Sequence, residues 1–114
     1  MRTLKFIVDG QVIRQDPDCD FNNLVPDTEG YLKAEFKLSK EWDDYVKVAS
    51  FWSAMGKEYM PQVLNSRNIV NNCYCCIIPK EALKKRVFKV QIVGRYGGIT
   101  IKTNKVAVSQ NGGK

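Results

Sequence analysis

Ile77-Ile78-Pro79-Lys80-Glu81-Ala82-Leu83-Lys84-Lys85-Arg86-Val87-Phe88-Lys89-Val90-Gln91-Ile92-Val93-Gly94 is the stretch whose reading decides the fold. It reads as the end of one strand, a single helical turn, and a clean strand that stops at a glycine. Pro79 suits the first turn of a short helix, where a missing N–H costs nothing. From Phe88 the period is two, with Phe88, Val90 and Ile92 on one face and Lys89 and Gln91 on the other. The stretch holds no catalytic motif.

Upstream, Thr3–Val8 alternates with Leu4, Phe6 and Val8 inward, and Asp9-Gly10 turns the chain into a second strand, Gln11–Gln15. Asp16 to Gly30 is a loop by its Asp, Asn, Pro and Gly content. Asp16, Asp18 and Asp20 sit two apart as in a calcium loop, but the glycine and glutamate of an EF-hand are missing from their places. Tyr31–Leu38 alternates again. In Ser39-Lys40-Glu41-Trp42-Asp43-Asp44, Ser39 is placed to cap a helical turn and Trp42 to plug a core edge. Tyr45–Ser53 reads as a central strand, Glu58–Leu64 as an edge strand demoted by Pro61, Asn65–Asn68 as a turn and Asn71–Ile78 as a further strand. Downstream of Gly94, Arg95-Tyr96-Gly97-Gly98 is a hairpin loop. Ile99–Thr103 and Lys105–Ser109 complete the domain, with Ile99, Ile101, Val106 and Val108 inward.

Seven or eight short strands at regular spacing, with one short helical turn, predict an all-β fold. The expected architecture is an antiparallel β-sandwich of immunoglobulin-like type, the alternative a small β-barrel. One domain is expected over residues 1–109, followed by a flexible polar tail, 110–114.

The 114 residues are 44% apolar and 26% charged, an ordinary globular mixture. Apolar runs fall far short of the roughly 20 residues of a membrane span, and the alternating N-terminus is unlike a signal peptide. Neither a membrane partner nor secretion is expected. No histidine is present, which removes Ser–His, Cys–His and zinc-hydrolase chemistry. Cys73, Cys75 and Cys76 lack the paired spacing of a zinc knuckle and, with Cys19, read as small, buried, reduced residues. A disulfide from Cys19 to the cluster is the alternative. Glu41, Asp43, Asp44 and Glu58 read as a solvated acidic corner rather than a glycosidase pair. No enzyme, no metal and no cofactor are expected.

The net charge of +6 is unevenly spread. Lys80–Lys114 carries nine Lys or Arg and one acid; Met1–Pro79 carries nine basic and eleven acidic residues. Either a basic face meets a polyanion, or the acidic loop and the basic C-terminal half complement each other, within one copy or between copies. The aromatics do not interleave with the basic residues as a stacking platform requires, which argues against nucleic acid. Trp42, Tyr45, Phe51, Trp52 and Tyr59 read as core and edge plugs rather than a sugar platform. Candidate partner-binding residues are Asp16, Asp18 and Asp20, the patch Lys84, Lys85 and Arg86, and the loop pair Arg95 and Tyr96.

The order Tyr31-Leu32-Lys33-Ala34-Glu35-Phe36, Glu41-Trp42, Val48-Ala49-Ser50-Phe51-Trp52, Cys76 to Leu83, Phe88 to Gly94 and Thr103-Asn104-Lys105-Val106 resembles small β-sandwich modules of tailed phages of Gram-positive bacteria. Such modules occur as N-terminal domains of baseplate-upper or fibre proteins and as stand-alone virion or prophage proteins. The cysteine cluster is a departure from that pattern. The resemblance implies a non-enzymatic structural protein of the virion, made in the host cytoplasm. It would assemble through contacts with other virion proteins or copies of itself, as a homo-oligomer in a baseplate, fibre attachment or capsid decoration. The alternative is a small phage-encoded inhibitor or adaptor whose basic half contacts nucleic acid or a host nucleic-acid-binding protein.

Overall fold

Period-two alternation builds nearly every element of the computed structural model, which describes residues 1–64, 69–70 and 73–111, with positions 69 and 70 described by backbone alone. The strands are β1 (Arg2–Asp9), β2 (Val12–Gln15), β3 (Leu32–Leu38), β4 (Val46–Ser53), β5 (Gln62–Leu64), β6 (Ile69–Val70), β7 (Cys73–Ile77), β8 (Val87–Tyr96), β9 (Ile99–Lys102) and β10 (Val106–Ser109). They form two sheets, one ordered β2-β1-β3-β7-β6 and the other β10-β8-β4-β5 with β9 also on β8. The fold is an all-β sandwich, and the two sheets do not close into a barrel. Single-turn 3₁₀ segments at Lys40–Trp42 and Ala82–Lys84 are the helical pieces among the described residues.

The inner faces carry the expected residues. Leu4, Phe6 and Val8 of β1, Leu32, Ala34 and Phe36 of β3, and Phe88, Val90 and Ile92 of β8 are all fully buried. Phe6 stacks on Phe36 with centroids 5.4 Å apart, and Phe51 of β4 faces Phe88 at 6.5 Å. One inward lysine breaks the pattern. Lys47 of β4 is buried and donates from Nζ to the Tyr45 carbonyl at 3.0 Å, with the Tyr74 ring 4.8 Å away.

Several expectations need correction. Every described ladder is antiparallel except β1–β3, which is parallel; the long segment between β2 and β3 is the crossover that a parallel pair needs. The strand after the basic patch does not stop at Gly94 but runs on to Tyr96. Gly94 is there because of what lies on it: an added Cβ would come within 2.9 Å of Trp42 Cζ3. The expected Glu58–Leu64 strand shortens to β5, with Glu58 making only an isolated bridge to Trp52. Ser39 does not cap the turn at Lys40; its Oγ accepts the Gly10 N–H at 3.0 Å instead. Ile99 is exposed rather than inward, because β9 follows a two-residue turn at the very end of β8. The expected turn Asn65–Asn68 lies outside the described residues.

Trp42 is the keystone of one end. It is fully buried, donates Nε1–H to the Gly10 carbonyl at 2.9 Å, and lies against Gly94. Gly10 holds a φ of +58° at the first position of the β1–β2 turn, which glycine adopts at no steric cost.

Along one flank the two sheets are stitched together by side chains. Asn104, in the break between β9 and β10, accepts the Ile13 N–H at 2.8 Å and donates to the Ile13 carbonyl at 3.2 Å, as a pairing strand would. Gln11 and Gln15 donate to the carbonyls of Lys102 and Ala107. Edge β2 is therefore occupied at Ile13 by the protein's own Asn104, which blunts it against strand addition. Contacts with the domain continue past β10. Gln110 is buried and Asn111 donates its N–H to the Leu24 carbonyl.

Candidate partner-binding groove

The register of β4 on β8 places two distant stretches side by side. Ser53 pairs with Phe88, so the residues leaving β4 and those entering β8 meet at the same end of the sheet. Between them lies a groove of about 690 Å³. Met55, Lys57 and Tyr59 line one side; Lys84, Lys85 and Arg86 line the other.

Each wall is held by its backbone. After β4 the chain turns sharply, with Gly56 N–H on the Ser53 carbonyl, Lys57 N–H on Ser53 Oγ at 3.0 Å, and Ser53 N–H on the Lys57 carbonyl at 2.7 Å. Gly56 takes a φ of +94° there, open to glycine and strained for other residues. That turn pushes Met55 out to 95% exposure. On the opposite wall, Ala82 and Leu83 are buried under the 3₁₀ turn, so Lys84, Lys85 and Arg86 are left outside. Gln110 fixes their backbone: its Nε2 donates to the Leu83 and Lys85 carbonyls at 3.0 and 2.6 Å, and its N–H donates to the Arg86 carbonyl.

The groove is both apolar and basic. Glu81 is the one acid lining it, against four cations. Among the described residues, no carboxylate lies within 4.0 Å of a lysine or arginine nitrogen. Ion pairs among the described residues therefore do not resolve the charge asymmetry of the sequence.

The acidic loop lies elsewhere, along β1. Asp16 N–H donates to the Lys5 carbonyl, and the Cys19 thiol points to the Thr3 carbonyl. Asp16 and Asp20 each accept a backbone N–H two residues on, from Asp18 and Asn22. Arg2 gathers the carbonyls of Asp20, Asn22 and Asn23. The Asn22 N–H, with Arg2 beside it, holds the Asp20 carboxyl below its usual range. The loop is thus rigid at both ends, and the Asp18 carboxylate carries no hydrogen bond.

Of the sequence candidates, the structure brings Lys84, Lys85 and Arg86 together in the groove. Arg95 and Tyr96 are at the far end of β8, about 30 Å along the strand. There Tyr96 rests on Tyr45, with centroids 5.9 Å apart, as part of the packing around Trp42. Met55, Lys57, Tyr59 and Gln110 are not legible as site residues; the β4–β8 register, invisible in local sequence, delivers the first three, and the pairing of β10 with β8 delivers Gln110.

Three cysteines read as a cluster split across β7. Cys73 and Cys75 face outward beside Glu35, and their thiols are shifted up by burial and then by that carboxylate. Cys76 faces the core, where burial pushes its thiol up to about 12. All four cysteines are free. Strand β3 stands between Cys19's contacts on β1 and the cluster on β7, roughly two strand spacings of 4.8 Å, which is beyond disulfide reach.

The outer face of the β10-β8-β4-β5 sheet departs from the sequence reading in one respect. Lys105 Nζ sits 3.5 Å over the Trp52 ring, and Lys89 pairs beside Trp52 in register, so one aromatic does lie among basic residues. Trp42, by contrast, is fully buried, which removes it from any sugar-binding strip. Among the described residues no helix is long and apolar enough to cross a membrane, and no three Cys, Asp or Glu side chains converge as a metal site requires. No protein-family model matches the chain, and no curated protein matches it in sequence.

Proposed function

We propose that this chain is a non-enzymatic assembly module that acts through protein–protein contacts, with the groove between residues 53–59 and 84–87 as its contact surface. The observation that carries the reading is an apolar surface, the exposed Met55 beside the half-buried Tyr59, ringed by cations that form no ion pair among the described residues. Interfaces combine an apolar centre with a charged rim in this way. The order of sequence motifs alone supports a place in a tailed-phage or prophage particle, in a baseplate, a fibre attachment or a capsid decoration.

The second reading, contact with nucleic acid, draws on Trp52 under Lys105 with Lys89 alongside. Light scattering at about 0.1 M and about 0.5 M salt, where screening lengths differ roughly twofold, separates the two. A discrete oligomer at 0.1 M that persists at least in part at 0.5 M is the result expected of an assembly module. A monomer at both salts, with mass gained from added single-stranded DNA only at the lower one, would sink it in favour of nucleic-acid binding.

A further inference from the structure

Resting on the assembly reading, we infer that the groove's occupant is the loop Asp16-Pro17-Asp18-Cys19-Asp20 of a second copy of this chain. Two properties of the two surfaces match. The groove carries Lys57, Lys84, Lys85 and Arg86 around an apolar floor. The loop carries three carboxylates around Pro17, an exposed apolar ring. Neither set of charges is neutralised by an ion pair among the described residues.

The loop and the groove belong to different sheets. The loop is bonded to β1 through Lys5 and Thr3, whereas the groove is formed where β4 ends and β8 begins.

Both surfaces are also ordered in advance. Arg2 and the two turns closed by Asp16 and Asp20 hold the loop, while Ser53 and Gln110 hold the groove walls. Association then loses little conformational freedom. A contact between two different patches builds a ring or filament if repeated in one direction, or a two-fold dimer if reciprocated. In all three the acidic loop of one copy meets the basic groove of another.

The test exchanges the charges. One variant reverses the groove: Lys84→Glu, Lys85→Glu and Arg86→Glu. The other reverses the loop with Asp16→Asn, Asp18→Lys and Asp20→Asn, the two asparagines keeping the side-chain oxygens that accept the Asp18 and Asn22 N–H groups. Each variant alone is expected to fall to the mass of one copy at about 0.1 M salt, and an equimolar mixture to regain the wild-type mass. Melting curves check that both variants are folded. A wild-type oligomer whose mass survives either reversal would overturn this contact and leave the assembly reading standing. Two monomeric variants that fail to restore each other would also overturn it. A monomeric wild type would remove the assembly reading itself.

Discussion

Replacing Trp42 by alanine is expected to destabilise the protein by about 3–5 kcal/mol, the usual cost of removing a fully buried large aromatic. At about 4 °C per kcal/mol for a domain of this size, the melting temperature should fall by about 12–20 °C. The loss has three parts. The indole is completely shielded from solvent, its Nε1–H satisfies the Gly10 carbonyl at 2.9 Å, and its six-membered ring lies on the backbone of Gly94. Trp42→Phe keeps most of the area and loses the hydrogen bond, so it should cost less than the alanine. Thermal melts of the two variants side by side separate packing from the polar contact.

Gly94→Ala is the second large effect, and it works from the other side of the same contact. The new methyl would stand 2.9 Å from Trp42 Cζ3 and 3.1 Å from Ile101 Cγ2. Both neighbours are branched or aromatic groups that must shift as bodies, and overpacking of this kind costs about 1–3 kcal/mol. The melting temperature should drop by about 4–12 °C. Because the clash is with the indole, the cost should shrink when Gly94→Ala is made in the Trp42→Phe background. A coupling of about 0.5–3 kcal/mol is typical of residues in contact. Strict additivity would show that Trp42 is not what requires glycine at position 94.

These two residues mark where sequence reading succeeds and where it stops. Trp42 as an edge plug follows from a large aromatic in a polar corner, and the alternation of β1, β3 and β8 places Leu4, Phe6, Phe36, Phe88, Val90 and Ile92 in the core. Gly94 reads as punctuation in the sequence, since a glycine inside a period-two run signals either an ending or a close approach. Only the partner across the interface distinguishes them. The parallel β1–β3 ladder was illegible for a similar reason: strand direction depends on where the loop after β2 returns, and the loop's composition does not encode that. Alternation with Ile101 places Ile99 inward, yet it pairs with Tyr96 past the last β4–β8 pair, Val46 with Arg95, and is exposed there.

The candidate site divides in the same way. Lys84, Lys85 and Arg86 are visible as a run of charge. Their apolar counterpart across the groove, Met55 and Tyr59, comes from a turn nearly thirty residues earlier, through the pairing of Ser53 with Phe88. Gln110 reads as the start of a polar tail, and its role in pinning the carbonyls of Leu83, Lys85 and Arg86 has no sequence signal. Arg95 and Tyr96 read as a separate candidate pair in a hairpin loop, and the length of β8 keeps them apart from the basic patch.

Hydrogen exchange of the wild-type protein, compared between dilute and concentrated samples at about 0.1 M salt, addresses the groove most directly. If the groove is the contact surface, the amides of residues 53–59 and 84–87 gain protection as concentration rises, while those at the Arg95–Gly98 end do not change. An oligomer that forms with the groove amides unprotected would contradict the account and move the contact to another face of the sandwich.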